Sequence, residues 1–289
     1  MDELYIFTEC YNCGVILKPT LESYHKHNNY PVHIYGKKDD FEQLGEIKNH
    51  PNNIFIDETD NDYLKMLYNN GHAGTSYIFA KAFHPENGNR KVIHFDSDTY
   101  FRNESISLIL NEFDNGYDIV SPVRCYKYNR NNRNDIRHQS DTSHTYFFGM
   151  KNKILPKRDF EYFRLMCQGH VSPTNHIILD FFDPVTYDAL SNGAKIKFLD
   201  YNIVGGFDLN GSRDNKYTLF NLDFDFGDNV VHFAGVGSGY SNFVKNKNGS
   251  TYESWSLKRY YFYNYLFNDI IIGDFDKKLA DDIKNEFNK

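Results

Sequence analysis

Two carboxylates one residue apart end the apolar run Val92-Ile93-His94-Phe95-Asp96-Ser97-Asp98. The run is short and rich in β-branched and aromatic residues, which predicts a buried strand. Asp96 and Asp98 then fall where that strand passes into a loop, the end of an open α/β sheet at which ligands bind. Carboxylates this close repel unless something neutralises them, and a divalent cation is the usual solution. Asp-Ser-Asp therefore predicts a site for a hard cation at a strand end.

Two further segments carry chemistry. In Val230-Val231-His232-Phe233-Ala234-Gly235-Val236-Gly237-Ser238-Gly239 a strand delivers His232 at its end and a glycine-rich turn follows. Glycine lets a backbone approach a diphosphate, and its amides are free to donate to one. His232 is placed to ligate a metal or touch a phosphate, although a histidine before such a turn also occurs as plain packing. Asp180-Phe181-Phe182-Asp183-Pro184 opens a helix, with Asp183 as the cap and Pro184 in the first helical position. That capping role and a place in an active site are compatible.

Positioning these groups requires a sheet. Apolar runs at Leu4–Thr8, Val32–Tyr35, Asn53–Ile56, Val92–Phe95 and Asp118–Val123 predict five strands, separated by helical patterns at Gly14–His27, Asp40–Ile47, Tyr63–Tyr68 and Thr75–Phe83. Further strands are expected at Tyr146–Met150, Ala194–Leu199 and Val230–Phe233. This alternation argues for an α/β protein with a mixed, mostly parallel central sheet flanked by helices, Rossmann-like in its first half. Residues 126–143, rich in Asn and Arg, read as a mobile loop. Residues 251–289 read as a helical tail packed on a single domain of residues 1–250, with an aromatic stripe at Tyr260, Tyr261, Tyr263 and Tyr265 serving as core.

Composition narrows the field. The 289 residues are 25% charged and 40% hydrophobic, ordinary for a globular chain, with a net charge of −7 and no basic patch. A nucleic-acid partner is therefore disfavoured. The start, Met1-Asp2-Glu3-Leu4, lacks the basic region of a secretory signal, and no run approaches the roughly 18 apolar residues of a membrane span; a cytoplasmic protein is expected. Of the four cysteines, Cys10 and Cys13 form a CxxC, but Cys125 and Cys167 are too far apart to complete a zinc site, so all four read as reduced thiols.

These features together resemble the GT-A family of nucleotide-sugar-dependent glycosyltransferases. The likeness rests on the first strand Leu4–Thr8, the helix around Gly74–Phe83, Ile93-His94-Phe95-Asp96-Ser97-Asp98, the strand with Phe148-Gly149-Met150, and the late His232-Phe233-Ala234-Gly235. It spans residues 3–240 and does not reach a subfamily. It implies Mn²⁺ or Mg²⁺ held by Asp98, Asp96 and His232, bridging the diphosphate of a donor, a UDP-sugar by default, with a glycan or other hydroxyl compound as acceptor. Ser97 and Asp96 would lie by the ribose or sugar, Thr8 and Glu9 would line the nucleoside pocket, Asp39 or Asp40 would contact base or ribose, and Gly235 would approach the diphosphate. Asp183, then Asp180, would be the acidic residue facing the acceptor. The same Asp96-Ser97-Asp98-Thr99 also fits the first motif of haloacid-dehalogenase-like phosphatases, with Asp96 as nucleophile, Asp98 as acid/base and Mg²⁺ as cofactor. A nucleotidyltransferase of related fold, and a module that only binds a sugar or nucleotide, are further readings.

Overall fold

The computed structural model describes residues 2–62, 71–101, 103–124, 142–143, 145–169, 181–199, 224–225 and 230–232. The strands of the first half form as the apolar runs predict: β1 (Glu3–Cys10), β2 (Val32–Gly36), β3 (Asn53–Asp57) and β4 (Arg90–Phe95). All pair in parallel, in the order β3-β2-β1-β4, with Phe7 opposite both His33 and His94. The sheet continues through β8 (Phe147–Lys151) to β6 (Ile119–Arg124). β6 also pairs with β9 (Ile196–Leu199) and with the two-residue β7 (Thr142–Ser143). Thr142 and Ser143, expected in a loop, are thus strand residues. β8 runs antiparallel to both of its neighbours, so the sheet is mixed but mostly parallel.

Side chains on a strand alternate between faces, and here each face meets its own core. Tyr5, Phe7, Val92, Phe148 and Met150 face one way, against Phe79 and Phe83 of α3 (Gly71–Phe83), Phe163 of α5 (Phe160–Gln168) and Val185 of α6 (Asp183–Ser191). Ile6, Ile93, Phe95, Val120 and Phe147 face the other way. They meet Leu17, Leu21 and Tyr24 of α1 (Gly14–His27) and Ile106, Ile109 and Phe113 of α4 (Ile106–Asp114). Burial on both faces is why these strands read as near-continuous apolar runs.

Some elements depart from expectation. The helix predicted over Asp40–Ile47 is two pieces, α2 (Lys38–Glu42) and a 3₁₀ turn at Gly45–Asn49, broken where Gly45 takes a φ of 62°. Helices α4 and α5 were not anticipated. The cap of α6 is Phe182 in the left-handed region at φ 65°, which puts Asp183 inside the first turn rather than before it. The predicted helix at Tyr63–Tyr68, the bulk of the 126–143 loop and the tail from 251 lie outside the described residues. Among the described residues no helix is long and apolar enough to cross a membrane.

A second, three-stranded antiparallel sheet, ordered β10-β11-β5, sits beside the first. β5 (Thr99–Phe101) follows directly from the Asp-Ser-Asp turn, and β11 (Val230–His232) and β10 (Phe224–Asp225) come from far along the chain.

Gly149 of β8 is tightly packed against α4. A Cβ there would stand 2.5 Å from Ile109 Cγ2 and 2.9 Å from Phe113 Cζ of α4. Gly149→Val should lower stability by about 2 kcal/mol through overpacking, read as a reduced urea midpoint at unchanged slope. A neutral result would mean that α4 does not pack on β8 this closely.

Candidate functional site

The Asp-Ser-Asp segment is a tight turn locked from two sides. Asp96 N–H donates to the Tyr146 carbonyl at 2.9 Å, and Thr99 N–H closes the turn on the Asp96 carbonyl at 3.2 Å. Thr20 of α1 donates its hydroxyl to the Ser97 carbonyl at 2.6 Å. With the backbone so fixed, β5 starts at Thr99, and His232 of β11 is its direct cross-strand partner.

That pairing brings the three predicted ligands together. His232 Nε2 lies 3.3 Å from Asp96 Oδ2 and 3.3 Å from Asp98 Oδ1. One ligand atom from each of the three residues falls within 4.8 Å of the others. The Tyr146 ring stacks on the His232 ring at 4.1 Å and 8°. The histidine and Asp98 are buried, with side chains 4% and 8% exposed, whereas Asp96 is 38% exposed and forms the open side. Burial opposes charge on His232, yet hydrogen bonding to Asp96 and Asp98 outweighs it and pushes the imidazole up to about 10. The turn concentrates negative charge that a proton on His232 balances when nothing else does. Two carboxylates and an imidazole also suit a divalent cation that accepts oxygen and nitrogen together.

A second cluster shares Asp96. His94, two residues earlier on the same face of β4, points Nε2 at Glu9 Oε2, 2.8 Å away, and stands 3.8 Å from Asp96 Oδ1. Its Nδ1 is 2.5 Å from the Thr145 carbonyl. Burial opposes its protonation, but the charge and hydrogen bond of Glu9 outweigh that, and its pKa is raised. Sequence reasoning singled out Glu9 but missed His94. The usable signal was a lone imidazole two residues before Asp96 in an otherwise apolar strand core.

The other predicted residues fall differently. Thr8 adjoins Glu9 in sequence but is buried with the opposite parity, on the same face as Ile6 and Cys10 of the α1-facing core. Asp39 is exposed in the first turn of α2, while Asp40 is buried and accepts the Asn12 N–H, with its pKa raised by burial. Asp183 is buried, 1% exposed, in the first turn of α6, where a carboxylate meets the positive end of the helix dipole. Ser97 is half-buried in the turn. Asp180 and Gly235 lie outside the described residues.

A metal ion bound through His232 would have to displace its proton, so binding would release a proton and apparent affinity would rise with pH. The sign follows from the raised pKa: below it the imidazole is charged and competes with the metal. Mn²⁺ affinity should climb between pH 6 and 8, by up to about tenfold per unit while one proton is displaced. In His232→Gln the overall affinity should drop and the slope flatten. Calorimetry in two buffers of different ionisation heat measures both, and a pH-independent affinity would remove His232 from the ligand set.

No protein family matches the chain, and no curated protein matches it. Among solved structures it is similar to the crystal structure of 4-diphosphocytidyl-2C-methyl-D-erythritol synthase from Anaerococcus prevotii DSM 20548. The two share 13% identity and a TM-score of 0.41, over 74% of this chain and 92% of that one. A likeness of that degree speaks to no activity and to no residue of the site.

Proposed function

We propose that the chain is a metal-dependent glycosyltransferase that moves a sugar from a nucleoside-diphosphate donor, a UDP-sugar first, to a hydroxyl acceptor. The observation that carries this reading is the convergence of Asp96, Asp98 and His232 at the carboxyl end of β4. A divalent cation held there, Mn²⁺ before Mg²⁺ because one ligand is an imidazole, would supply positive charge to the departing diphosphate.

The chain's own residues set the geometry. Asp98 and His232 are buried and fix the inner side of the site, and Asp96 faces outward where a donor approaches. Thr20 and Tyr146 hold the turn from behind. A course that inverts configuration needs a base for the acceptor proton, the role the resemblance implies for Asp183 or Asp180, and Asp183, 1% exposed, would have to be uncovered to fill it; a retaining course requires no such base. The phosphatase reading asks Asp96 to attack and Asp98 to shuttle protons. An Asp98 that is 8% exposed and turned to His232 suits a ligand better than a proton shuttle.

The test is a screen of UDP- and GDP-sugars for Mn²⁺-dependent release of the nucleoside diphosphate. Release from at least one donor is expected, stopped by chelator and lowered about a hundredfold or more in Asp98→Asn, since removing an electrostatic group at the reacting centre costs that much. Phosphate release from monoesters with no turnover of any nucleotide sugar would return Asp96 to the role of nucleophile. Nucleotide binding without turnover would leave only a binding module.

A further inference from the structure

His94 lies between the rings of Phe7 and Phe79, at centroid distances of 4.7 and 4.5 Å, and is 1% exposed. Stability does not ask for an imidazole there, since replacing a buried ion pair by apolar groups is often neutral or stabilising. Its two nitrogens are placed for different tasks. A backbone carbonyl can only accept, so Nδ1, at 2.5 Å from the Thr145 carbonyl, carries a proton. That bond fixes the ring and directs Nε2 at Glu9 Oε2, 2.8 Å away, with Asp96 Oδ1 at 3.8 Å. Metal-binding histidines are oriented in this way, one nitrogen held by a carbonyl and the other turned to the ion.

The sheet brings the three groups together. Phe7 is opposite His94 in the parallel pairing of β1 with β4, and Glu9 and Asp96 each follow two residues later on the same face. Glu9, His94 and Asp96 each offer one atom within 4.8 Å of the others. Two atoms bound about 2.1 Å from one ion stand about 3 Å apart at right angles and about 4.2 Å apart when opposite. Separations of 2.8 and 3.8 Å therefore need only small side-chain shifts. The second oxygen of Glu9, Oε1, is buried with no hydrogen-bond partner among the described residues, so it too can face an ion. Asp96, 38% exposed, provides the way in. Its two oxygens divide between the clusters, Oδ1 toward His94 and Oδ2 toward His232 at 3.3 Å. A carboxylate that gives one oxygen to each of two ions suits the spacing of two-metal sites, about 3.5–4 Å.

We propose that Glu9, His94 and Asp96 form a second divalent-cation site, joined through Asp96 to the ion at Asp98 and His232. Two carboxylates and one imidazole suit a transition-metal cation, Mn²⁺ first. It takes the place of the proton that lies between Nε2 and Glu9 Oε2. Two such ions outweigh the three carboxylates and leave the strand ends positive, the sign that draws a phosphate-bearing substrate. This goes beyond the transferase reading, which asks for one cation, and it gives Glu9 a ligand's place rather than one in a nucleoside pocket.

The experiment titrates Mn²⁺ into the chelator-treated full chain and follows both the heat and the electron paramagnetic resonance of the bound ions. Wild type should bind two ions, with the spin coupling of a bridged pair. In Glu9→Gln and in His94→Gln one ion should stay within about threefold of its native affinity while the other weakens at least about tenfold, no less than outer-shell changes cause, and the coupling should vanish. His232→Gln should also lose the coupling yet keep the ion at Glu9, and Asp96→Asn should weaken both. If His94→Gln fails to fold, as melting in chelator would show, Glu9→Gln carries the test. Fewer than two ions in wild type, or two that both survive Glu9→Gln, would overturn the proposal. A single ion together with turnover of a nucleotide sugar would overturn it and leave the transferase reading standing. A coupled pair with no turnover of any donor would uphold it and sink that reading.

Discussion

The centre depends on one strand pairing, Val230–His232 of β11 against Thr99–Phe101 of β5. Asp96 and Asp98 are neighbours in sequence and would sit together in any fold that ends β4 where this one does. Their opposite charge is not local. It arrives on a three-residue strand from the far part of the chain, in a register that sets His232 across from Thr99. A slip of one residue would turn the imidazole to the other face of the small sheet and leave two carboxylates facing each other. Such a short pairing cannot specify itself by length. Stacking of His232 on Tyr146 and its contacts to both aspartates supply the register. The second sheet thus both adds Phe101 and Val230 to the core and mounts one side chain.

The rest of the site follows from the arithmetic of parallel strands. β1 and β4 are adjacent, with Phe7 opposite His94. Two residues further along each strand are Glu9 and Asp96, so the four share a face and converge where the strands end. Thr8, offset by one, is committed to the opposite core. β8, antiparallel to β4, then delivers the entry of its strand, Thr145 and Tyr146, to the same end of the sheet. Its two carbonyls hold His94 and Asp96. A parallel β8 would have brought its other end here. β8, which departs from the parallel pattern, thus leads into its strand through the two residues that brace both histidines.

Much of this was legible in the sequence, and the remainder was hidden for physical reasons. Strands β1, β2 and β4 could be read because burial on both faces makes each a continuous apolar run ended by a polar loop, and β3, at the edge and half-exposed, by its short apolar run Ile54–Ile56. The Asp-Ser-Asp pair and His232 could be read because both sit where such runs stop. Strand direction could not, since nothing local in Phe147–Lys151 distinguishes parallel from antiparallel. β5 and β10, three and two residues long, fall below the length at which period-2 patterning is visible. α5 is capped by Asp159, whose carboxylate accepts the Glu161 and Tyr162 N–H groups, a start signal that was available and passed over. Asp183 was misplaced by one residue because Phe182, an unusual residue at positive φ, ends the preceding segment and takes the capping position. His94 was missed because a histidine inside an apolar strand looks like packing until its two partners, both from other strands or loops, are known.

Asp96 is where the two clusters meet. Oδ1 faces His94 at 3.8 Å and Oδ2 faces His232 at 3.3 Å, so one carboxylate spans two imidazoles. Its neighbour Asp98 has a buried place beside His232. A cation bound by Asp96, Asp98 and His232 would displace a proton from His232 and with it part of the charge that holds Asp96 from that side. The carboxylate would then be balanced between the cation and the His94–Glu9 pair. Division of labour between the two aspartates follows from this placement rather than from their chemistry, which is identical: the buried one anchors, and the exposed one links the anchor to whatever the rest of the site binds.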